Sequence, residues 1–245
     1  MISAPSQTAP QTPADSAPQT PADSVRVGFF DSGIGGYSVV REYRKLRPAD
    51  EIFYTADWEF CPYGNKPREL VEARAALLSE RLIGLGARIV VVACNTATAA
   101  AIDTLRARFA DMPFVGMEPA IKPALLNSKS GVVGVLATAN TFDGRLYKET
   151  STKFRGDVRL IAAVGEGLVD LVERGITEGP EARNAVGRCL DEMLAMGADH
   201  IVLGCTHYHF LKKTIAEIAG DSVVIVDPAR AVAERAAALA KKCAG

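Results

Sequence analysis

The sequence predicts an α/β protein of two similar domains with parallel sheets, and three observations carry that prediction. From Val25 onward, short β-branched or aromatic runs alternate with longer Ala-, Leu- and Arg-rich stretches whose apolar residues fall at helical spacing. Most of the short runs are almost continuously apolar, as strands covered on both faces must be. Two segments of the first half also recur, in the same order, in the second half.

In chain order, residues 1–24 come first, built of Ala, Pro, Gln, Thr, Ser and Asp, with APQTPADS repeated at 9–16 and 17–24. So little apolar side chain does not offset ordering entropy, and the prolines prevent a helix. The segment reads as a disordered low-complexity tail without chemistry. Strands are then predicted at 26–30, 51–55, 89–93, 114–117, 131–136, 159–162, 201–203 and 223–226. Helices such as 68–85 and 182–196 supply the crossovers that parallel strands need.

The duplication pairs VGFFDSG at 27–33 with VGVLATA at 133–139, and VVVACNTAT at 90–98 with IVLGCTHYH at 201–209. Each offset is about the length of a small domain. The expected organisation is a first α/β domain at 25–118, a second at 119–227, and a terminal segment at 228–245 packing back on the first. These are Rossmann-like (flavodoxin-like) units related by pseudo-symmetry, with the active site in the cleft between them.

Composition narrows the function. The 245 residues are 48% hydrophobic and 23% charged, with a formal net charge of −1. Such a chain can bury a core without a disulfide or metal staple. Its charge offers no steering toward nucleic acid or anionic lipid. The five cysteines, Cys61, Cys94, Cys189, Cys205 and Cys243, make no paired framework. No signal peptide and no run of membrane-spanning length is read, so a reducing cytoplasm is expected. CxxC and HExxH spacings are absent, and no metal is expected.

Cys94 follows a strand and precedes Asn95, Thr96 and an alanine-rich helix. Helix N-terminal amides favour a thiolate there, although a lone cysteine at a strand end is equally a small hydrophobe. Cys205 repeats the placement, followed by Thr206 and His207. Together the two thiols form a constellation, because inverting a carbon needs one group to remove a proton and another to deliver one to the opposite face. Asp31 ends the first strand in DSGIGG, whose glycines let backbone amides approach a carboxylate, or which simply caps a helix. CPYG at 61–64 reads as a loop in which Tyr63 and the Gly64 amide bind an anion, or as an ordinary turn with Cys61 in packing. Cys189 and Cys243 read as inert. His200 reads as a surface or strand-edge residue, and His209 as covering the site's mouth or starting a helix.

DSGIGG, CPYG, VACNTAT and LGCTHY, in this order and at these spacings, resemble the glutamate racemase branch of the aspartate/glutamate racemase family over nearly all of 25–233. The resemblance implies a cofactor-independent enzyme interconverting L- and D-glutamate for bacterial peptidoglycan. It implies Cys94 as the thiol acting on D-glutamate and Cys205 as the one acting on L-glutamate, with Asp31 and His207 assisting proton traffic. Asp31, Ser32, Tyr63, Gly64, Asn95, Thr96, Thr138, Thr141, Thr206 and His207 fall on substrate-binding positions, and Glu173 on an acidic position near His207. A homodimer is likewise implied. Trp58 and Glu59 replace a small Thr-Ala pair, Gly165 stands where many relatives carry cysteine, and His209 where proline is usual. An aspartate or other amino-acid racemase, and a non-catalytic binding or regulatory protein on the same fold, are the competing readings.

Overall fold

A computed structural model describes residues 23–154 and 156–244 of the chain. The first half runs β1 (Arg26–Asp31), α1 (Tyr37–Leu46), β2 (Glu51–Ala56), α2 (Arg68–Gly84), β3 (Ile89–Val92), α3 (Asn95–Arg108) and β4 (Phe114–Gly116). The second follows with α4 (Ile121–Asn127), β5 (Val132–Ala137), α5 (Ala139–Asp143), α6 (Arg145–Phe154), β6 (Arg159–Val164), α7 (Leu168–Glu173) and α8 (Gly179–Ala195). It closes with β7 (His200–Gly204), α9 (Lys212–Ala219), β8 (Val224–Val226) and α10 (Ala229–Ala244).

Among the described residues the strands form two four-stranded sheets, ordered β2-β1-β3-β4 and β6-β5-β7-β8, with every pairing parallel. The two windings are identical, as the internal duplication predicts. Register makes the equivalence residue-specific. Phe30 pairs with Val92 in one sheet and Leu136 with Leu203 in the other. Asp31 is therefore the counterpart of Ala137, Ser32 of Thr138, and Cys94 of Cys205.

Each predicted strand is present, with ends that differ by a few residues. Helix α8 starts at Gly179 rather than at 182, because Pro180 occupies its first turn, where a missing N–H costs nothing. Most of the predicted tail lies outside the described residues. Asp23 and Ser24 depart from the tail expectation: the Asp23 carbonyl accepts from Arg47, and the Ser24 hydroxyl donates to the Ala49 carbonyl.

Helix α10 buries a stripe of Ala229, Val232, Ala233, Ala236, Ala237 and Ala240 against Val27, Phe29 and Val39. The small side chains allow close approach to α1 and to strands β3 and β4. The chain thus returns to its first sheet at its end, with Cys243 packed at the margin of that core. Cys189 is half-buried on α8, where desolvation pushes its thiol pKa up. Both placements suit inert packing.

Of the two readings of His200, surface or strand edge, the structure excludes the first and places it at the start of a strand. It opens β7, an interior strand flanked by β5 and β8, and is buried. Its Nδ1 lies 2.8 Å from Asp199 Oδ1. The Asp199 carboxylate also accepts from Ser128 Oγ and from the amides of Lys129 and Ser130, which ties down the turn before β5. No helix among the described residues is long and apolar enough to cross a membrane.

Candidate active site

The carboxyl ends of β1 and β3 and of β5 and β7 meet between the two sheets, and the conspicuous polar residues collect there. Cys94 leaves β3 and serves as the N-cap of α3, its Sγ accepting from the Ala97 amide at 3.5 Å. The expected helix terminus is in place. The expected easy thiolate is not: burial and the neighbouring Asp31 charge push the Cys94 thiol well above its ordinary pKa, outweighing that amide. A dry site holds Cys94 as a thiol until a base takes its proton.

Asp31 is fully buried and accepts from Ser32 Oγ at 3.1 Å, from the Gly33 amide at 3.3 Å and from Thr206 Oγ1 at 2.7 Å. Burial nonetheless raises its pKa, against the opposing pull of His207. The carboxylate is thereby made a stronger base than a surface aspartate. Its bond to Thr206 also joins the first half to the turn that follows Cys205.

Cys205 leads into a 3-10 turn, Thr206–Leu211, and not into an α-helix. No backbone amide caps its thiol. Its Sγ instead lies 3.9 Å from His207 Nδ1, and His207 Nε2 is 2.6 Å from Glu173 Oε1. Burial works against a charged imidazole, but contacts with Cys205, Cys61, Glu173 and Asp31 outweigh it and raise the His207 pKa. Burial likewise opposes a charged Glu173, yet the His207 bond and the Ile34 amide, donating at 2.8 Å, leave its pKa lowered. An imidazole–carboxylate pair stands behind Cys205, with the charged form of each partner favoured.

The glycine turn makes this meeting possible. A side chain at Gly35 would collide with His207 and Thr206, and one at Gly33 with Glu173. Only glycine lets the DSGIGG turn lie against both.

The remaining expected residues divide. Thr96 Oγ1 and Thr138 Oγ1 are 2.9 Å apart across the two halves, and Thr138 is 2.8 Å from Thr141 Oγ1. Asn95 is buried with Nδ2 donating to the Met117 carbonyl, while its Oδ1 has no hydrogen-bond partner among the described residues. Tyr63 behaves differently from the expectation of a free anion ligand, since its hydroxyl donates to Asp57, which Arg74 grips with two further bonds of 2.8 and 2.6 Å. Gly64 packs against the Thr138 side chain. His209 bonds Asp227 at 2.5 Å, and Asp227 in turn accepts from the Ala229 amide at the start of α10.

Sequence reasoning missed Asn140, whose Nδ2 donates to the Tyr63 and Lys66 carbonyls and fastens the CPYG turn to the second half. It also missed Cys61 as part of a polar cluster. Cys61 Sγ lies 3.8 Å from Glu173 Oε1 and 3.9 Å from Ser32 Oγ. Ligand atoms of Cys61, Glu173 and His207 all lie within 4.8 Å of one another, a set able to hold a metal ion. The expectation of no metal site rested on spacing motifs, and ligands drawn from three distant segments leave none.

Both thiols are almost fully buried. A cavity of about 350 Å³ opens between Pro62, Gly64 and Asn65 of one half and Thr138, Gly165 and Asp170 of the other. It borders the site at Gly64 and Thr138 without reaching either thiol.

Two like-wound α/β halves with a thiol at the same strand end of each define a class of protein with a pseudo-symmetric, two-thiol cleft. The family model for Asp/Glu/Hydantoin racemases matches residues 38–236, and the chain belongs to that family. It is 45% identical over 209 residues to a glutamate racemase of Ectopseudomonas mendocina, covering 85% of this chain and 80% of the relative. A glutamate racemase of Methylococcus capsulatus is 48% identical over 84% of this chain and 76% of its own. Among solved structures, Escherichia coli glutamate racemase in complex with L-glutamate and the activator UDP-MurNAc-Ala superposes with a TM-score of 0.81 at 33% identity, covering 89% of this chain and 83% of that one. An aspartate racemase of Picrophilus torridus, at 19% identity and a TM-score of 0.56 over 91% of this chain and 95% of that one, shares the fold alone. The expected α/β fold and racemase class, an isomerase of the glutamate racemase branch, are borne out.

Proposed function

We propose that the chain interconverts L- and D-glutamate by proton transfer between Cys94 and Cys205. The observation that carries this reading is their register-equivalent placement at the ends of β3 and β7, in two sheets of identical winding that face one cleft. A thiolate on one side removes the α-proton, and the thiol on the other delivers its own proton to the opposite face of the planar carbanion. Each turnover exchanges the protonation states of the two sulfurs.

In the D-to-L direction Cys94 is the base, and Asp31, made more basic by burial, takes its proton beforehand. In the L-to-D direction Cys205 is the base, with His207 handling its proton and Glu173 holding the imidazole. The unpartnered Asn95 Oδ1 is an acceptor suited to the substrate ammonium, since a buried polar atom calls for a partner. Ser32, Thr96, Thr138, Thr141 and Thr206 supply hydroxyls for the two carboxylates, with Gly64 leaving room beside Thr138 and Tyr63 shaping the wall. Because both thiols are buried, substrate entry requires the halves to part along the cleft.

This reading carries the division into a first domain at 25–118 with 228–245, and a second at 119–227. It also carries a cytoplasmic location, a homodimer and a role in supplying D-glutamate for peptidoglycan, the last supported by the muramyl nucleotide that activates the Escherichia coli relative. The test is incubation of D-glutamate and D-aspartate separately in deuterated water. D-Glutamate is expected to racemise faster and to gain deuterium at the α-carbon. Faster turnover of D-aspartate would overturn the substrate assignment, and racemisation without α-exchange would overturn the proton-transfer mechanism.

A further inference from the structure

Cys61 follows the turn after β2, Glu173 ends α7, and His207 lies in the turn after β7, yet their ligand atoms share one small volume. We infer that these three side chains form a binding site for a borderline-soft divalent metal ion, zinc above all, and that its occupation switches the enzyme off.

Thiolate, imidazole nitrogen and carboxylate oxygen together are a donor set suited to zinc. Tetrahedral zinc at its usual bond lengths holds such atoms roughly 3.3 to 3.6 Å apart. Cys61 Sγ stands 3.8 Å from Glu173 Oε1 and needs almost no movement. His207 Nε2 and Glu173 Oε1, 2.6 Å apart as hydrogen-bond partners, open by less than about 1 Å to admit the ion. The space exists because Gly33 has no side chain: a Cβ there would collide with the Glu173 carboxylate and approach Cys61 Sγ to 3.0 Å.

One ligand is also held from behind. The Ile34 amide donates to Glu173 at 2.8 Å. Such outer partners orient ligands and strengthen a metal site. Three protein ligands leave a fourth position for water. Binding releases the Cys61 thiol proton and the proton His207 shares with Glu173, so no oxidant or reductant is involved. It also removes the imidazole from the service of Cys205, 3.9 Å from its Nδ1. The inhibition rests on the racemase reading, whereas the metal binding does not.

Cobalt(II) titrated into the metal-free full chain is expected to give a thiolate-to-cobalt charge-transfer band that zinc displaces. Cys61→Ala removes the band, while Cys94→Ala and Cys205→Ala each keep it. In a racemisation assay zinc inhibits reversibly, a chelator restores the rate, and Cys61→Ala, active without metal, needs about tenfold more zinc, or about 1.4 kcal/mol. No cobalt band in the unaltered chain would overturn the site. A band that survives Cys61→Ala but vanishes in Cys205→Ala would also overturn it, by placing the ion on the reacting thiol. A Cys61-dependent band with no effect of zinc on the rate would overturn the switch alone. Absence of racemisation in metal-free protein with a Cys61-dependent band would sink the racemase reading and leave the metal site standing.

Discussion

The two thiols occupy equivalent backbone positions and live in different chemistry. Cys94 caps a 14-residue α-helix and has a buried carboxylate for a neighbour. Cys205 enters a 3-10 turn without a cap and has an imidazole backed by a carboxylate. Register explains the divergence. The counterpart of Asp31 in the second half is Ala137, so that half has no acid at its first strand end. It draws one instead from α7, through His207. Equivalent strand ends place the two sulfurs, and different neighbours surround each.

The harshest way to break this comparison is to remove either sulfur. Cys94→Ala and Cys205→Ala should each abolish racemisation in both directions, a loss of at least about 10³-fold in kcat, since each stroke needs both groups. Full activity in either variant would refute the two-base assignment. Asp31→Asn and His207→Asn should each lower kcat by roughly 10²- to 10⁴-fold. Their difference is the sharper measurement: Asp31→Asn should raise the primary isotope effect on α-deuterated D-glutamate, and His207→Asn that on the L-isomer. Equal effects on both isomers would erase the division of labour.

A gentler probe acts on the pair behind Cys205. Glu173→Gln keeps an acceptor for the Ile34 amide but removes the charge that helps hold the His207 pKa up. The basic limb of the kcat profile should then move to lower pH. The stability contribution has a defined sign. That of His207, whose pKa is raised on folding, is fully present below its unfolded value near 6.5 and is lost as pH rises through the folded value. That of Glu173, whose pKa is lowered, is present above its unfolded value near 4.5 and is lost as pH falls through the folded one. The gap in Tm between the parent and Glu173→Gln should be widest where both are charged and narrow on either side. A gap independent of pH would separate Glu173 from His207.

The fold was legible because strand burial and winding are written locally. Short β-branched or aromatic runs, most of them almost continuously apolar, marked all eight strands, and the matched segments foretold both the equal windings and the pairing of Cys94 with Cys205. Contacts made across the cleft were not legible. Nothing near Cys61 announces Glu173, and nothing near Tyr63 announces Asn140, because those neighbours arise only when the halves dock. The Cys94 thiol shows a second limit. Sequence places it at a helix terminus, which lowers a thiol pKa, but the depth of burial that reverses the sign depends on the whole fold. The surface reading of His200 failed for the same reason, since a residue preceding a predicted strand became the first of an interior one.

A last contrast lies just past the second strand of each sheet. The Asp57 amide donates to the Asp31 carbonyl and the Gly165 amide to the Ala137 carbonyl, both at 3.0 Å, so the two residues are equivalent. Each also accepts from a buried tyrosine hydroxyl, Asp57 through its carboxylate from Tyr63 and Gly165 through its backbone carbonyl from Tyr208 at 3.2 Å. The first half thus anchors its tyrosine with a buried charge that also holds Arg74, and the second with backbone alone. Asp57→Ala should therefore cost more, about 2–4 kcal/mol, because it leaves the buried Tyr63 hydroxyl unpaired and removes two charge-assisted bonds to the partly exposed Arg74. Gly165→Ala should cost about 1–3 kcal/mol by overpacking, since its Cβ would collide with the Tyr208 ring and hydroxyl. Denaturant midpoints would check the order. A Gly165→Ala variant as stable as the parent would mean that Tyr208 swings aside, and would make the second half the more adaptable wall of the cleft.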